Sequence, residues 1–596
     1  MEKVWSFNTT VRNPERMENM LRALSELEGV EFNGDGQSSF FGLQIKKRLY
    51  KPEKRTLAEQ DLIDIVHSDV TADDIPDDIV DRIVAKYHGK SVDSAGRGRT
   101  AAGILNRFGL CVALQSKGDV VITDLAKKWL NHEIDDEDLF TKFFIKWQYP
   151  NKIEGGYNDF NIKPFIGTLA LIDLVNKKWS DLGNKPVGLS KDEYRLFVPS
   201  LTKAEDIEEY ANRIIDFRNN KEKLKDKEKS DFIKSYIIER AKEIFGDIKN
   251  LGVAINDLRD YTDSSVRYFR MSGLIALRGN DTHIDIAQDK KIEVESLLKN
   301  ISPQAEDFSS YEDYFNFLSD PSALELPWLN QDDLNRISIH LTDVLKEETG
   351  VDIEQYISDI ETLPANKKVS VLEEELNHVR INKLKNLKHD ITVLDECILK
   401  LETITSRNYE TLTARPSLDF EWFVARSLHV LNDAISIMPS FNIGDDGIPT
   451  GFKSNVSDIE CYYNSFNMTV EVTLLLGRDQ WIAEGQPVMR HLRDFEDKSE
   501  GKNTYCIFVA PIIHRDTLNT FWNSNKFSYE GRKQKIIPIS LSQYITLLKI
   551  ARDKILNSSL NHSSLDNLLN SIYSEVENIE VPLDWFNKVP DLIRKW

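Results

Sequence analysis

Val456-Ser-Asp458-Ile-Glu460-Cys-Tyr-Tyr463-Asn464-Ser465-Phe466-Asn-Met-Thr-Val-Glu471-Val-Thr473 is the stretch that decides the fold of the C-terminal part of the chain. Two apolar, β-branched segments flank a cluster of turn formers, which predicts a β-hairpin. With Asn464-Ser465 as a two-residue loop, Tyr463 faces Phe466 and, counting outward, Asp458 falls opposite Glu471. Opposed residues of an antiparallel pair have Cβ atoms roughly 4.5–5.5 Å apart, so both carboxylates could share a divalent cation.

Without a cation this carboxylate pair is costly, because two like charges at that distance repel each other and raise one pKa. Mg²⁺ suits such a pair, since it prefers oxygen ligands, keeps several waters and is held by one or two carboxylates plus a substrate phosphate. The layout is that of a metal-dependent phosphodiesterase site. The alternative is a solvated strand on which acidic residues simply alternate, and the spacing alone does not separate the two interpretations.

The flanking sequence predicts an α/β domain around the hairpin. Glu484 follows Glu471 by thirteen residues and precedes Pro487-Val-Met-Arg-His491, a predicted loop-to-helix segment. Upstream, a predicted amphipathic helix that starts near Ser417 carries Glu421. Downstream, 504–510 and 536–540 are continuous apolar runs of strand length. Such strands between helices predict a sheet covered on both faces.

These residues carry a resemblance to a known family. The segment from about Phe420 to Pro511 resembles the PD-(D/E)XK nuclease core, and more closely the AlwI family of type IIS restriction endonucleases with the related large subunits of heterodimeric nicking endonucleases. The resemblance extends to the N-terminal part and so covers most of the chain. It is carried there by Thr10-Val-Arg-Asn-Pro-Glu-Arg16, Lys146-Trp-Gln-Tyr-Pro150 and Arg267-Tyr-Phe-Arg270.

The resemblance implies a catalytic set of Asp458, Glu471, Glu484, Glu421 and His491. Asp458 and Glu471 would bind Mg²⁺, Glu421 and Glu484 would be accessory acids, and His491 would lie near the attacking water or the scissile phosphate. The wider superfamily has a lysine two residues after the second acid, where this chain has Thr473. The lysine-less form matches the closer family. His491, a second metal or a displaced lysine would then stabilise the charge of the transition state.

The function implied is a Mg²⁺-dependent type IIS restriction endonuclease that recognises a short asymmetric DNA sequence and hydrolyses phosphodiester bonds at a fixed distance outside it. One alternative is the large subunit of a strand-specific nicking endonuclease that needs a small partner for the second strand. A second, of another class, is a non-catalytic winged-helix DNA-binding regulator. Implied partners are double-stranded DNA, a transient homodimer through the catalytic domain or a small second nuclease subunit, and a cognate DNA methyltransferase of a restriction-modification system.

Composition agrees with a multidomain cytoplasmic protein. A length of 596 residues favours two or three domains, and 41% hydrophobic residues are enough for packed cores. No run of eighteen apolar residues and no signal-peptide pattern occurs, so no membrane partner is expected. The four cysteines, at positions 111, 397, 461 and 506, form no C-x-x-C pair, so we expect reduced thiols rather than zinc ligands or disulfides.

Net charge is the strongest objection to a DNA partner. A value of −21 predicts repulsion from phosphate unless basic residues are segregated onto one face. Two basic clusters are candidates for DNA contacts: Lys46, Lys47 and Arg48 with their neighbours Lys51, Lys54 and Arg55, and Arg97, Arg99 and Arg107. A third run, the lysines between 221 and 229, alternates with acidic residues and is typical of a solvated helix face.

The second basic cluster lies in a predicted winged-helix-like unit. A helix from Arg97 to Arg107 is followed by apolar strands at 110–114 and 120–123, which is the order in which a helix enters the major groove and a hairpin contacts the backbone. Arg97 and Arg99 are the candidates for reading guanine. A helix ending at Arg270, strands at 273–277 and 282–286 and a Gly279-Asn280 turn repeat this order. The alternative is that helix-hairpin units only pack.

The sequence therefore predicts three parts. Residues 1–300 form an α-rich DNA-recognition region with winged-helix-like subdomains, 301–405 a mainly helical linker, and 406–596 a PD-(D/E)XK endonuclease domain with a central mixed sheet. The linker is predicted from Leu384, Leu387, Ile391, Leu394, Ile398 and Leu401, which step by three and four. A helix of defined length would hold the cutting domain at a fixed distance better than a coil, although such a stripe can also pack within its own domain.

Overall fold

The structure is a computed structural model of the chain. It describes residues 3–7, 11–67, 74–88, 93–246, 248–279, 282–350, 360–405, 416–431, 434–452, 456–499 and 501–596. The chain divides into two compact units. The first unit comprises Met1–Gln37, Gly98–Val379 and Ile443–Gly451, and the second comprises Ser38–Arg97, Arg380–Asn442 and Phe452–Trp596.

Helices dominate both units. Before residue 380 the α-helices are Arg16–Ser25, Gly34–Lys46, Lys54–Leu57, Gln60–Val66, Asp77–Ala85, Ser94–Arg107, Asp124–Leu130, Asp136–Lys146, Pro164–Asp181, Lys191–Phe197, Ile207–Glu222, Asp226–Phe245, Leu251–Arg270, Lys291–Asn300, Tyr311–Ser319, Gln331–Thr349 and Ala365–Lys383. The later α-helices are Ile391–Thr405, Pro416–Val430, Gly477–Lys498, Arg515–Lys526, Leu541–Leu556, His562–Asn578 and Pro582–Lys595. Short 3₁₀ turns lie at Gln115–Lys117, Ala204–Asp206, Gln288–Lys290, Pro327–Leu329 and Leu384–Leu387. None of the described helices combines the length and apolar character that crossing a membrane requires.

The predicted helix-hairpin units are present in outline in the first unit. Its strands are β1 (Cys111–Val112), β2 (Val121–Ile122), β3 (Leu189–Ser190), β4 (Ile275–Arg278) and β5 (His283–Ile286). β1 and β2 pair antiparallel after the Ser94–Arg107 helix, and β4 and β5 pair antiparallel after the Leu251–Arg270 helix. The second sheet differs from the prediction because β3 adds a third strand in the order β3-β5-β4. The predicted Gly279-Asn280 turn lies partly outside the described residues, and the winged-helix assignment stays a prediction.

Two of the N-terminal motifs meet in the interior of the first unit. Arg267 donates from Nη1 to Asn13 Oδ1 at 2.8 Å, and the Tyr268 hydroxyl donates to the Val11 carbonyl at 2.8 Å. The Tyr268 ring stacks on Phe7, with ring centroids 4.6 Å apart. The motifs at 10–16 and 267–270 therefore have a structural role that joins distant parts of the chain, although Thr10 itself lies outside the described residues.

A mixed sheet of five strands forms the centre of the second unit. Its strands are β6 (Ser436–Pro439), β9 (Ile459–Tyr462), β10 (Phe466–Val472), β11 (Asn503–Ala510) and β12 (Ile536–Ser540), in the order β12-β11-β10-β9-β6. β10, β11 and β12 run parallel, whereas β9 is antiparallel to both of its neighbours. All seven residues of β10 are buried. A sheet covered on both faces is therefore confirmed, as are the two predicted strands at 504–510 and 536–540.

The register of the β9–β10 hairpin is the predicted one. Tyr462 pairs with Asn467 and Ile459 pairs with Val470, so the next position outward places Asp458 opposite Glu471. The Tyr463 amide donates to the Phe466 carbonyl at 3.0 Å, which closes the two-residue loop. The period of two in strand side chains fixes this alignment once the loop is chosen.

Two local predictions were wrong, and one group of strands was not predicted. The stripe from Leu384 to Leu401 is not one helix, because it breaks around His389, whose φ of 60° is left-handed. Pro487 does not precede a helix but lies inside the Gly477–Lys498 helix, which begins ten residues earlier. The chain also forms β6, together with β7 (Phe441–Ile443) and β8 (Pro449–Phe452), which pair as a separate two-stranded sheet.

The segment 38–97 belongs to the second unit although it lies near the N-terminus of the chain. Its own core contains Phe41, Ile45, Leu57, Leu62, Val66, Ile75, Ile79, Val80, Ile83 and Tyr87. The sequence reasoning assigned these residues to the recognition region, because chain order gives no sign of which distant segment they join. The predicted domain boundaries at 300 and 405, and the spacer role of the helices between them, stay predictions.

His429 gives the second unit a predictable acid sensitivity. Its ring is fully buried in the Pro416–Val430 helix, and among the described residues neither ring nitrogen has a hydrogen-bond partner. Burial, followed by the nearby charge of Lys385, lowers the pKa of His429 to about 4. Because the unfolded chain binds this proton more readily, stability falls as pH decreases from about 6.5 to 4, by about 3 kcal/mol at most.

We therefore expect His429→Leu to stabilise the protein at neutral pH by about 1–3 kcal/mol, since it removes two buried polar atoms without partners. The gain should grow as pH falls towards 4. Thermal melting between pH 4 and 8 measures both effects, with His88→Gln, at an exposed histidine of the same unit, as the control. Parallel stability curves for wild type and His429→Leu would contradict the assignment.

Candidate functional site

Asp458 and Glu471 lie side by side in the second unit. Asp458 directly precedes β9, and its Oδ2 accepts a hydrogen bond of 2.7 Å from the Val472 amide. Glu471 is the sixth residue of β10, with 4% of its surface exposed. The hairpin register brings them together, and the backbone of one strand orients the carboxylate of the other.

Three further groups hold the Glu471 carboxylate. The Ser457 hydroxyl and the Asp458 backbone amide donate to it. His491, from the Gly477–Lys498 helix, places Nδ1 at 3.1 Å from Glu471 Oε1. His491 Nε2 is buried and has no hydrogen-bond partner among the described residues. His491 was predicted from the sequence, whereas Ser457 was not, since its only signal is its position next to Asp458.

Glu484 approaches the same site from the helix that carries His491. Its carboxylate accepts a hydrogen bond from the Thr473 hydroxyl. Thr473 is buried, and its own hydroxyl oxygen accepts from the Leu475 amide at 3.1 Å. Thr473, two residues after Glu471, therefore supplies no charge but orients an additional acid.

The three acids create an excess of buried negative charge. The pKa values of Asp458 and Glu471 are raised well above their ordinary ranges, first by burial and second by a neighbouring carboxylate, Glu471 and Glu484 respectively. Burial also raises the pKa of Glu484. The pKa of His491 is lowered, by burial and then by the charge of Arg490. Perturbed carboxyl groups in one place are typical of functional sites.

These residues fit a divalent cation. A buried pair of carboxylates with raised pKa values gains most from a positive charge placed between them. Mg²⁺ needs only one or two protein carboxylates, because water and substrate phosphate complete its shell. Within the described parts of the chain, no group of three or more His, Cys, Asp or Glu side chains is arranged to hold a metal on its own. Asp458 and Glu471 therefore fit an open Mg²⁺ site, in which water and substrate phosphate supply the remaining ligands.

Glu421 lies on a helix that carries none of the other four residues of the predicted catalytic set. It is 6% exposed and lies in the Pro416–Val430 helix, which packs against β6 at the edge of the sheet. The structure thus brings Asp458, Glu471, Glu484 and His491 into mutual contact or charge range, and carries Glu421 on a different helix. Its accessory role stays a prediction.

The first predicted basic cluster is engaged within the second unit. Lys46 Nζ lies 2.7 Å from Asp77 Oδ1, and Lys47 Nζ lies 3.7 Å from Asp479 Oδ1. The Arg48 guanidinium donates to the Ile65 carbonyl at 3.3 Å. A DNA phosphate would have to compete with these partners.

The second basic cluster is also largely engaged. Arg97 donates to the Tyr50 hydroxyl at 2.9 Å, and its guanidinium lies 4.7 Å from the ring centroid of Tyr87. Arg107 forms an ion pair with Glu154, and its side chain is only 13% exposed. Arg99 is exposed, with a single long hydrogen bond of 3.4 Å to Gln37. Of the three, Arg99 has the weakest internal contact and would lose least by reaching a base, and all three DNA contacts stay predictions.

If Arg99 reads a guanine, Arg99→Ala should weaken discrimination against the wrong base pair by about 1–3 kcal/mol while thermal stability stays unchanged. Arg97→Ala should instead lower the melting temperature, because its aromatic partners lose their cation. Competition binding on mismatched duplexes, with melting curves in parallel, separates the two. Unchanged base preference in Arg99→Ala would remove it from the recognition set.

Comparison with known proteins adds the family. The family model described as AlwI restriction endonuclease matches residues 106–547, which is most of the chain. Comparison with the curated proteins finds no significant match. Among solved structures, the small subunit R.BspD6I2 of the heterodimeric restriction endonuclease R.BspD6I is 22% identical, with a TM-score of 0.27, 32% of this chain covered and 96% of that chain. The restriction endonuclease FokI is 11% identical, with a TM-score of 0.21 and 95% and 99% covered.

A third similar structure is the BpuJ1 endonuclease binding domain, solved with modified DNA, which is 14% identical with a TM-score of 0.24 and covers 46% of this chain and 94% of that one. The family assignment depends on the family model. Because that model spans residues 106–547, the chain belongs to the AlwI restriction endonuclease family.

Proposed function

We propose that this chain is a type IIS restriction endonuclease that binds a short asymmetric sequence in double-stranded DNA and hydrolyses phosphodiester bonds at a fixed distance outside it, with Mg²⁺ as cofactor. The observation that supports this most directly is the opposition of Asp458 and Glu471 across the β9–β10 hairpin, inside the part of the chain that matches the family. A buried acidic pair is costly without a cation, and a bound cation is what a metal-dependent nuclease site uses.

Asp458 and Glu471 would hold Mg²⁺, each already oriented by a backbone amide. When bound, the ion would polarise the scissile phosphate and favour deprotonation of the attacking water. His491 fixes the Glu471 carboxylate through Nδ1, and Nε2, the acceptor nitrogen of the neutral ring, is left for a water. Glu484, oriented by Thr473, would bind waters or a second ion, and Glu421 would be an accessory acid.

Digestion of a supercoiled plasmid in the presence of Mg²⁺, followed by run-off sequencing of both strands, tests the proposal. Linear product with a constant offset from one asymmetric sequence is the expected result. Open circles that never become linear would instead support the large subunit of a nicking enzyme, whose second cut needs a small partner. Sequence-specific binding without any cleavage would support the non-catalytic regulator.

The same plasmid-cleavage assay tests two proposed partners, a second copy of the chain and a cognate methyltransferase. A cut on both strands by the purified chain requires two hydrolytic events, and we propose that a second copy, joined transiently through the catalytic domain, supplies the second site. The rate of linearisation would then rise more than in proportion to protein concentration. A strictly proportional rate would argue for sequential cutting by one copy. Methylation of the recognised sequence by a cognate methyltransferase should block both cuts.

A further inference from the structure

Nearly every arginine that the structure describes is engaged within the protein. Examples outside the predicted basic clusters include the buried ion pair of Arg218 with Glu193 and the contacts of Arg493 with Glu496 and two backbone carbonyls. In a chain of net charge −21 this is the expected outcome, because acidic partners outnumber basic ones. A described arginine without any such partner therefore needs an explanation.

Arg478 and Arg490 are two such residues. Both are exposed, and within the described part of the chain no hydrogen bond or ion pair involves either of them. Both belong to the Gly477–Lys498 helix, which also carries Glu484 and His491. Glu484 stands six residues from each arginine, so along the helix axis they flank it by about 9 Å on either side.

Acidic neighbours do not account for the two arginines. Asp479, next to Arg478, lies 3.7 Å from Lys47, so its charge is already balanced. Asp494 follows Arg490 by four residues, a spacing that commonly forms a helical ion pair, yet none is present among the described contacts. Arg490 instead directly precedes His491, whose Nδ1 lies 3.1 Å from Glu471 Oε1.

We propose that Arg478 and Arg490 bind the phosphates of the DNA strand on either side of the bond that is cut. This rests on the proposed nuclease function and gives it a binding surface that neither predicted basic cluster provides. Guanidinium groups bind phosphate oxygens in bidentate geometry. Leaving both side chains exposed and unpaired keeps this surface available despite the negative charge of the whole protein.

The test compares Arg478→Ala/Arg490→Ala with Arg532→Ala/Arg594→Ala, a matched control that removes two exposed arginines paired elsewhere in the same unit. Affinity for a duplex that includes the cut position is measured against salt concentration, with the full chain carrying Asp458→Asn so that the DNA stays intact. Removing two phosphate contacts should make the slope of log affinity against log salt shallower by about two. The control should retain the wild-type slope.

Arg478→Lys/Arg490→Lys should restore most of the slope, because lysine keeps the charge at both positions. The melting temperatures of all variants should match that of the wild type. If the arginines had a purely structural role, the alanine variants would melt at a lower temperature. If the double alanine variant keeps the wild-type slope and, with Asp458 intact, the wild-type cleavage rate, this inference is wrong while the nuclease proposal stands. If the unmutated chain neither binds nor cleaves DNA, both are wrong.

Discussion

Asp458→Asn is expected to reduce DNA cleavage by about 10³-fold or more while DNA binding is retained. The amide keeps the shape of the side chain but removes one of the two charges that would hold Mg²⁺, and metal stabilisation of a phosphoryl transition state contributes several kcal/mol. Glu471→Gln should have a similar effect, since Glu471 also accepts from Ser457, Asp458 and His491. Plasmid cleavage rates and duplex binding, measured on the same preparations, check both parts.

The same substitution has a second readout that does not depend on activity. Because the carboxylates repel each other in the absence of metal, Asp458→Asn should raise the melting temperature of the metal-free protein. Mg²⁺ should stabilise the wild type, by about 2.7 kcal/mol at a hundred times its dissociation constant, and should stabilise Asp458→Asn much less. Glu402→Gln, at an exposed carboxylate paired with Lys549, is the control and should behave as wild type in each assay.

Full cleavage activity in purified Asp458→Asn and Glu471→Gln would remove both residues from the metal site. Retained cleavage with a lost Mg²⁺ shift would mean that the ion binds there without taking part in the reaction. The combination of lost cleavage, retained binding and raised metal-free stability is the result that a purely structural role of the two acids does not produce.

Glu154→Ala is expected to destabilise the first unit by about 3–5 kcal/mol, because it leaves the mostly buried Arg107 guanidinium without its counter-charge. Burial alone would lower the pKa of Arg107, but Glu154 and its neighbours more than offset this and raise it. The Tyr149 hydroxyl, which donates to Glu154 Oε2 at 3.0 Å, loses its acceptor as well. Urea denaturation followed by tryptophan fluorescence measures the loss.

Glu312→Ala serves as the matched control for Glu154→Ala, since its partner Lys117 is much more exposed and the pair is screened by solvent. Replacing both partners at once, as Arg107→Met with Glu154→Leu, should recover much of the lost stability, because no buried charge is left. If Glu154→Ala is instead as stable as wild type, Arg107 is not held by this pair, and its predicted contact with DNA would gain support.

Local sequence pattern was sufficient for several features of this protein. The alternation of side chains about Asn464-Ser465 predicted the register that sets Asp458 opposite Glu471, because a two-residue loop leaves one pairing in which the apolar faces coincide. Continuous apolar runs predicted β11 and β12 for a related reason, since strands buried on both faces need no polar positions. The motifs spread along the chain indicated the family that the model match at 106–547 shows.

The tertiary structure alone decided how distant side chains are paired. His491 meets Glu471 and Thr473 meets Glu484 because a helix crosses the end of β10, an arrangement that no spacing encodes. The sequence predicted that the two basic clusters contact DNA. In the structure, however, Lys46, Lys47 and Arg107 each form an ion pair with an acidic residue from another segment. Periodicity reports the neighbours within one element, whereas charge pairing depends on contacts between elements. Arg478 and Arg490, which have no partner among the described residues, could therefore be recognised only after the other arginines had been paired.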